Sequence, residues 1–243
     1  MNPRPFLTAA WRHLVMLNYD IEPSVLTRLI PRGTELDLWK GRTLVSLVGF
    51  RFLDTRVLGV SIPFHRNFDE INLRFYVRRR VEAGWRRGVV FIREVVPRKI
   101  IAAVARIGYN EPYIALPMRN QVDMVTAESG GDGLARYRWR QHRWYTIEAR
   151  TSGPPQPLEP DSEAEFITEH YWGYTRQRDG GTMEYRVDHP RWQVWNAHSS
   201  QLDCDVEKMY GPDFGPALSG VPASAFVADG SPVTVYQGHR LPD

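Results

Sequence analysis

A single cysteine, Cys204, stands in 243 residues. It excludes an internal disulfide and any metal cage built from several thiolates, and a reducing, cytoplasmic home is expected. Lysine is nearly as scarce: Lys40, Lys99 and Lys208 are the only three, so 28 of the 31 basic residues are arginine. Chemistry through a lysine imine has at most these three candidates. No run approaches the ~18 apolar residues of a membrane span. The N-terminus lacks the basic segment, apolar core and small-residue cleavage site of a signal peptide. G-x-S-x-G, Walker and Rossmann patterns are absent, and the seven histidines form no H-E-x-x-H arrangement. Neither a cofactor nor a metal is expected.

What is present is ordinary for a globular chain: 42% apolar and 24% charged residues. A formal charge of +3 is too small to argue for nucleic acid. One stretch keeps that idea in view, ARYRWRQHRWY from 135 to 145, because cations interleaved with aromatics are how single strands are held. The same alternation describes any half-buried strand. The length suits one domain over residues 1–243, and the oligomeric state, a homo-oligomer included, is left open.

The segment FIREVVPRKIIAAVARIGYNEPYIALPM, Phe91 to Met118, organises the rest. Between Ile100 and Ile107 it is apolar on every face except at Arg106, which predicts a helix buried all round, opened near Pro97 and left at Gly108. Before it, FDEINLRFYV alternates: Ile71, Leu73, Phe75 and Val77 against Glu70, Asn72, Arg74 and Tyr76. The strand VVFIREVV follows and leads into the helix. Elsewhere a hairpin is expected over 34–53 with its turn at Lys40-Gly41, Leu36 and Leu38 alternating against Glu35 and Asp37. A short helix from Pro23, strands over 121–128 and 135–150, a capped helix from Ser162, a hairpin around Gly180-Gly181 and a last strand, SPVTVY, complete the reading. The fold class is mainly β (α+β), closer to a barrel or sandwich than to βαβ.

TAAWRHLVMLNYDIEPSVLTRLIPRGTELDLWKGRTLVSLVGFRF, FDEINLRFYV, ARIGYNEPY, HYWGYTRQRDGGTMEYRVDHPRW and FVADGSPVTVY together resemble the YqjF-like proteins, a bacterial family of unknown function. The resemblance spans nearly the whole chain in matching order. It implies a fold similar to acetoacetate decarboxylase: a closed, mostly antiparallel barrel with a buried helix and short peripheral helices, whose cavity is reached by a helix-bearing connection. In the decarboxylase the segment after the helix carries a tyrosine, a proline and two lysines, the first of which forms a Schiff base with a β-keto acid. Here the matching stretch is Tyr109-Asn110-Glu111-Pro112-Tyr113, with no lysine.

The candidates follow from these segments. Glu70, Glu94 and Glu111 are acid/base groups if they face an apolar cavity; salt bridges to nearby arginines are the plainer alternative. Lys99, beside Arg98, could replace the lost lysine only if it faces that cavity, and otherwise reaches for water. Arg74 and Arg106 are carboxylate partners, and Asn72, Tyr76, Tyr109, Tyr113 and His65 complete a ligand-binding set. The row on the Glu70 strand is a ligand site if it faces the lumen and a solvated face if it does not. Two functions stand: a cavity that turns over a small anionic or carbonyl-bearing metabolite in a lyase- or hydrolase-like reaction, or a binding module that has kept the cavity and lost the chemistry.

Overall fold

The computed structural model describes residues 4–98, 110–125 and 131–242. Fifteen strands among them join one connected sheet. In chain order they are β1 (Pro5–Asp20), β2 (Glu35–Leu36), β3 (Leu44–Val57), β4 (Phe68–Val81), β5 (Gly84–Val96), β6 (Tyr113–Ala115), β7 (Met118–Asp123), β8 (Asp132–Arg140) and β9 (Trp144–Ser152). The chain continues through β10 (Gln156–Pro157), β11 (Trp172–Arg176), β12 (Thr182–Asp188), β13 (Gln193–Asp203), β14 (Ser224–Tyr236) and β15 (His239–Arg240). The helices are short: α1 (Pro23–Leu26), α2 (Glu163–Thr168), α3 (Val206–Tyr210) and α4 (Gly215–Leu218).

Seven strands form a barrel-like ring in the order β12-β11-β5-β4-β3-β1-β14, and β14 returns to β12 through Val187↔Val235 and Asp188↔Thr234. Antiparallel pairing dominates, as expected, but β11 and β6 each join β5 in parallel. From β14 the sheet continues through β13, β9, β8 and β7, and this arm folds over the outside of the ring. Its inward residues Tyr137, Trp139, Tyr145 and Ile147 pack with Val45, Leu47, Ile71 and Leu73 of the ring, and α3 and α4 seal the same core with Met209 and Leu218. Glycine is required where the arm meets β3: a Cβ on Gly49 would lie 2.8 Å from Ile71 and 2.9 Å from Tyr137. A second apolar cluster lies inside the ring and joins Met16, Val48, Phe50 and Phe226 to Phe166 and Ile167 of α2.

The local signals mostly hold. Ser162 accepts the Glu165 amide at 3.1 Å and starts α2, the cap read from the sequence, while the Glu165 carboxylate accepts the amide of Asp161, one residue before the cap, at 2.7 Å. Lys40 and Gly41 both take positive φ, 48° and 83°, as a tight primed turn needs, and Lys40 is exposed. The hairpin expected around that turn is different. Only Trp39 and Arg42 pair across it, and β2 pairs instead with β4, Glu35 opposite Arg78. Its sidedness is also reversed at the turn: Asp37 is buried, where Arg87 and His170 partner it, whereas Leu38 is exposed. The helix expected between Pro97 and Gly108 falls on 99–109, outside the described residues.

Both faces of β4 are buried. Ile71, Leu73, Phe75 and Val77 belong to the core between ring and arm, and Glu70, Asn72, Arg74 and Tyr76 face the ring interior. The row is thus lumenal rather than solvated, and the arm of the sheet lying over the ring leaves neither side of the strand to water.

Candidate functional site

Inside the ring lies a cavity of about 180 Å³. Its polar lining is concentrated on neighbouring strands. β4 supplies Glu70, Asn72 and Arg74, and β5 supplies Glu94, directly opposite Asn72. β6 runs parallel to β5 and sets Tyr113 beside Glu94, with Glu111 just before it. Strand alternation therefore does the positioning: residues two apart on β4 share the lumenal face, and the cross-strand partners on β5 and β6 come to the same level.

The three glutamates are held differently. Glu70 accepts from Asn72 Nδ2 at 2.9 Å and from the Tyr113 hydroxyl at 3.0 Å. Burial pushes its carboxyl up to about 7, although these two hydrogen bonds and the Arg74 charge pull the other way. Glu111 accepts from Thr175 Oγ1 at 2.5 Å and from the Tyr185 hydroxyl at 3.0 Å. Burial again raises it to about 7, opposed by those donors and reinforced by the Glu70 charge. Glu94 is 2% exposed and its Oε2 has no hydrogen-bond partner among the described residues. Burial, then the charges of Glu111 and Glu70, push it well above the usual carboxylate range. All three carboxyls are thus raised by burial, Glu70 and Glu111 to about 7 and Glu94 well above the usual carboxylate range. Carboxyls held this way can both give and take a proton at pH 7. Among the described residues Glu94 and Glu111 form no salt bridge with Arg93 or Arg98, and Arg106, the other partner weighed for them, lies outside the described residues.

Among the described residues Arg74 is the cation that lines the cavity. It is 9% exposed, forms no ion pair among the described residues, and its Nε is buried without an acceptor. Its neighbours are the Met16 sulfur at 4.0 Å and the Tyr76 ring at 5.8 Å. A guanidinium carries five donors and no acceptor, so most of its hydrogen-bonding capacity is open to a ligand.

Beyond Arg74 stands a pair that the sequence reading missed. His170 lines the cavity behind α2, and its Nε2 lies 3.2 Å from Asp37 Oδ2. Burial raises the Asp37 carboxyl, but hydrogen bonds from His170 and Arg87 outweigh it and leave Asp37 below the usual range. Burial pushes His170 down to about 4 against the hydrogen bond to Asp37. The ring is therefore neutral at pH 7. An ionised Asp37 only accepts, so its contact is met by the Nε2–H tautomer, which leaves Nδ1, buried without a hydrogen-bond partner among the described residues, as the basic nitrogen. Asp37 and His170 are 133 residues apart, and only the paired strands bring them together. His170 does lie within the segment HYWGYT that marked the family resemblance, but nothing in that segment singled it out.

The other predicted residues are distributed as follows. His65 lines the cavity at its rim and bonds the Pro63 carbonyl at 2.8 Å rather than Asp69 or Glu70. Tyr76 lies behind the lining: its hydroxyl is 2.5 Å from Ser46 Oγ and its ring packs 4.7 Å from His170. Lys99, Arg106 and Tyr109 lie outside the described residues. Among the described residues no group of three or more His, Cys, Asp or Glu side chains is arranged to hold a metal ion, and no helix is long and apolar enough to cross a membrane.

Comparison with known proteins now bears on this geometry. The family model of an uncharacterized conserved protein, DUF2071, matches residues 8–232. The chain belongs to the DUF2071 family. Among curated relatives, the uncharacterized protein YqjF of Bacillus subtilis (strain 168) is 27% identical over 215 residues, covering 86% of this chain and 84% of that one. Solved structures supply the fold of this DUF2071 protein. The enduracididine biosynthesis enzyme MppR, complexed with pyruvate, aligns with a TM-score of 0.68 at 14% identity, covering 100% of this chain and 92% of its own. Acetoacetate decarboxylase from Legionella pneumophila aligns at 0.66 and 14%, covering 99% and 88%. An acetoacetate decarboxylase-like enzyme from Sphingomonas wittichii RW1 aligns at 0.62 and 10%, covering 99% and 94%. The YqjF-like and decarboxylase-like expectations both hold at the level of family and fold. This DUF2071 chain keeps Lys40 stacked 4.5 Å over Trp39 and Lys208 exposed on α3, and neither lines the cavity.

The basic, aromatic stretch 135–145 has a structural explanation. Tyr137, Trp139 and Tyr145 are fully buried in the core. Arg119, Arg138 and Arg140 gather over the Trp144 ring outside, at 4.9, 5.3 and 5.7 Å. The rings that would stack on bases are inside, and the remaining indole is already covered by cations.

Proposed function

We propose that this protein binds a small carboxylate or carbonyl-bearing metabolite in the ring cavity and transfers protons to and from it without an imine intermediate. The observation that carries this reading is Arg74, a buried guanidinium lining a largely apolar cavity with no carboxylate partner among the described residues. Such a cation is costly to desolvate unless an anion joins it. The bound anion would lie beside Asn72 and within reach of the proton-holding cluster, where Glu94 is the acid and Glu70 or Glu111 the base. The pyruvate complex of MppR and the acetoacetate decarboxylases, whose fold this chain shares, make keto acids the first ligands to try.

Titration calorimetry with pyruvate and acetoacetate is the test, paired with NMR of their carbon-bound protons in D₂O. Binding that disappears in Arg74→Met, and deuterium uptake that slows in Glu70→Gln, is the expected result. Binding without exchange would make the protein a binding module, and equal binding by Arg74→Met would remove the reading altogether. Borohydride trapping with acetoacetate should leave no lysine adduct. An adduct at Lys99 would replace proton transfer by imine chemistry.

A further inference from the structure

Polarity in the cavity runs along its axis. Register across β3 and β4 sets the levels: Arg74 lies opposite Ser46, Asn72 opposite Val48, Glu70 opposite Phe50, and Phe68 opposite Phe52. Six residues of strand separate the first level from the last, ~20 Å. Arg74 and the carboxyl cluster therefore occupy one end and middle of the cavity, and the other end is aromatic. There Phe52 stacks on Phe68 at 4.6 Å, Phe50 meets Phe52 at 5.1 Å, and Trp11 meets Phe50, Phe52 and Trp192 at 5.5, 5.8 and 6.4 Å. All five rings line the cavity.

At that same end the β3–β4 connection continues the apolar wall into solvent. Leu58, Val60, Ile62 and Phe64 are 70%, 64%, 37% and 88% exposed, and Ile62 also lines the cavity. A loop of this kind would ordinarily be polar. Four large apolar side chains on seven residues, at the mouth of an aromatic channel, are more than scattered surface hydrophobes.

We propose that the ligand is an amphipathic carboxylic acid of medium chain length. Its carboxylate meets Arg74, its first carbons pass Asn72 and the glutamates, and its hydrocarbon tail runs from there towards the aromatic end, against Phe50. This rests on the Arg74 reading and adds to it the part of the substrate that the carboxylate leaves unspecified. Pyruvate or acetoacetate alone would leave the aromatic end unfilled.

The test is calorimetric titration of the full chain with acetate, butanoate, hexanoate, octanoate and decanoate below their self-association limits, and with 1-octanol. From butanoate to octanoate, each methylene buried against the aromatic wall should tighten binding roughly fourfold. Short acids that bind as tightly as octanoate would overturn this inference and leave the Arg74 reading standing. Octanol binding as tightly as octanoate would overturn the role of Arg74, and with it the acid as ligand. Failure of every acid to bind would overturn both.

Discussion

Strand β4 carries two rows of side chains, and both are shut away from water. Ile71, Leu73, Phe75 and Val77 pack against the arm of the sheet, each fully buried among aliphatic and aromatic neighbours. Glu70, Asn72 and Arg74 line the cavity on the other face, buried as well but with polar atoms left unmatched among the described residues: Asn72 Oδ1, Arg74 Nε and, opposite Asn72 on β5, Glu94 Oε2. The first row stabilises the fold in the ordinary way, by removing apolar surface from water. The second opposes it, because desolvated ionisable groups favour the unfolded chain. One strand thus holds the fold together with half its residues and strains it with the other half, and the strained half is where chemistry is to be sought.

Substitutions on the two rows should therefore behave oppositely. Leu73→Ala is expected to have the largest effect on stability, a loss of about 2–5 kcal/mol in urea denaturation. Arg74→Met should leave the urea midpoint unchanged or raise it, while weakening a carboxylate ligand by roughly ten- to a hundred-fold, the worth of hydrogen bonds to a charged group. A destabilised Arg74→Met protein would erase the contrast between the rows.

Proton linkage sharpens it further. Glu70 and Glu111 are raised from 4.5 to about 7 in the folded chain, so the folded state binds more protons than the unfolded state between those values. Stability contributed by these groups is fully present below pH 4.5 and is lost as pH rises towards 7. The expected loss is a few kcal/mol, since a tenfold change in proton affinity at one site is worth about 1.4 kcal/mol. Glu111→Gln should flatten this part of a melting-temperature profile. His170 works in the opposite direction with a smaller expected effect: lowered from 6.5 to about 4, it contributes stability above pH 6.5 that is lost as pH falls towards 4. His170→Gln should reduce the acid limb without altering the neutral one. An unchanged acid limb in His170→Gln would mean that other groups carry it.

How much of this can be read from residues alone differs for the two rows. Alternation along FDEINLRFYV determines membership of each row, because strand geometry allows nothing else. It does not say that both rows are buried, since the covering sheet comes from residues 118–152, distant in sequence and paired through β13. Glu70, Glu94 and Glu111 stand out by residue type and by nearness to one helix-bearing segment, and they do line one cavity. Asp37 falls on the solvent side if Leu36 and Leu38 define the apolar one. The pairing of β2 with β4 and the approach of His170 and Arg87, which reverse it, are tertiary facts with no local signature.

The ring closure described above has a mechanical side. β1 shares eleven or more register pairs with each of β3 and β14, but β12 and β14 are joined by only two, Val187↔Val235 and Asp188↔Thr234, as are β5 and β11. Val187 and Val235 both line the cavity. A closed hoop under thermal agitation parts where it is least stitched, since local opening costs least where the fewest backbone bonds must break. At the β12–β14 seam this hoop would part along a slit whose inner edge is the cavity wall, making one of its two shortest seams a second door, set apart from the loop at the aromatic mouth.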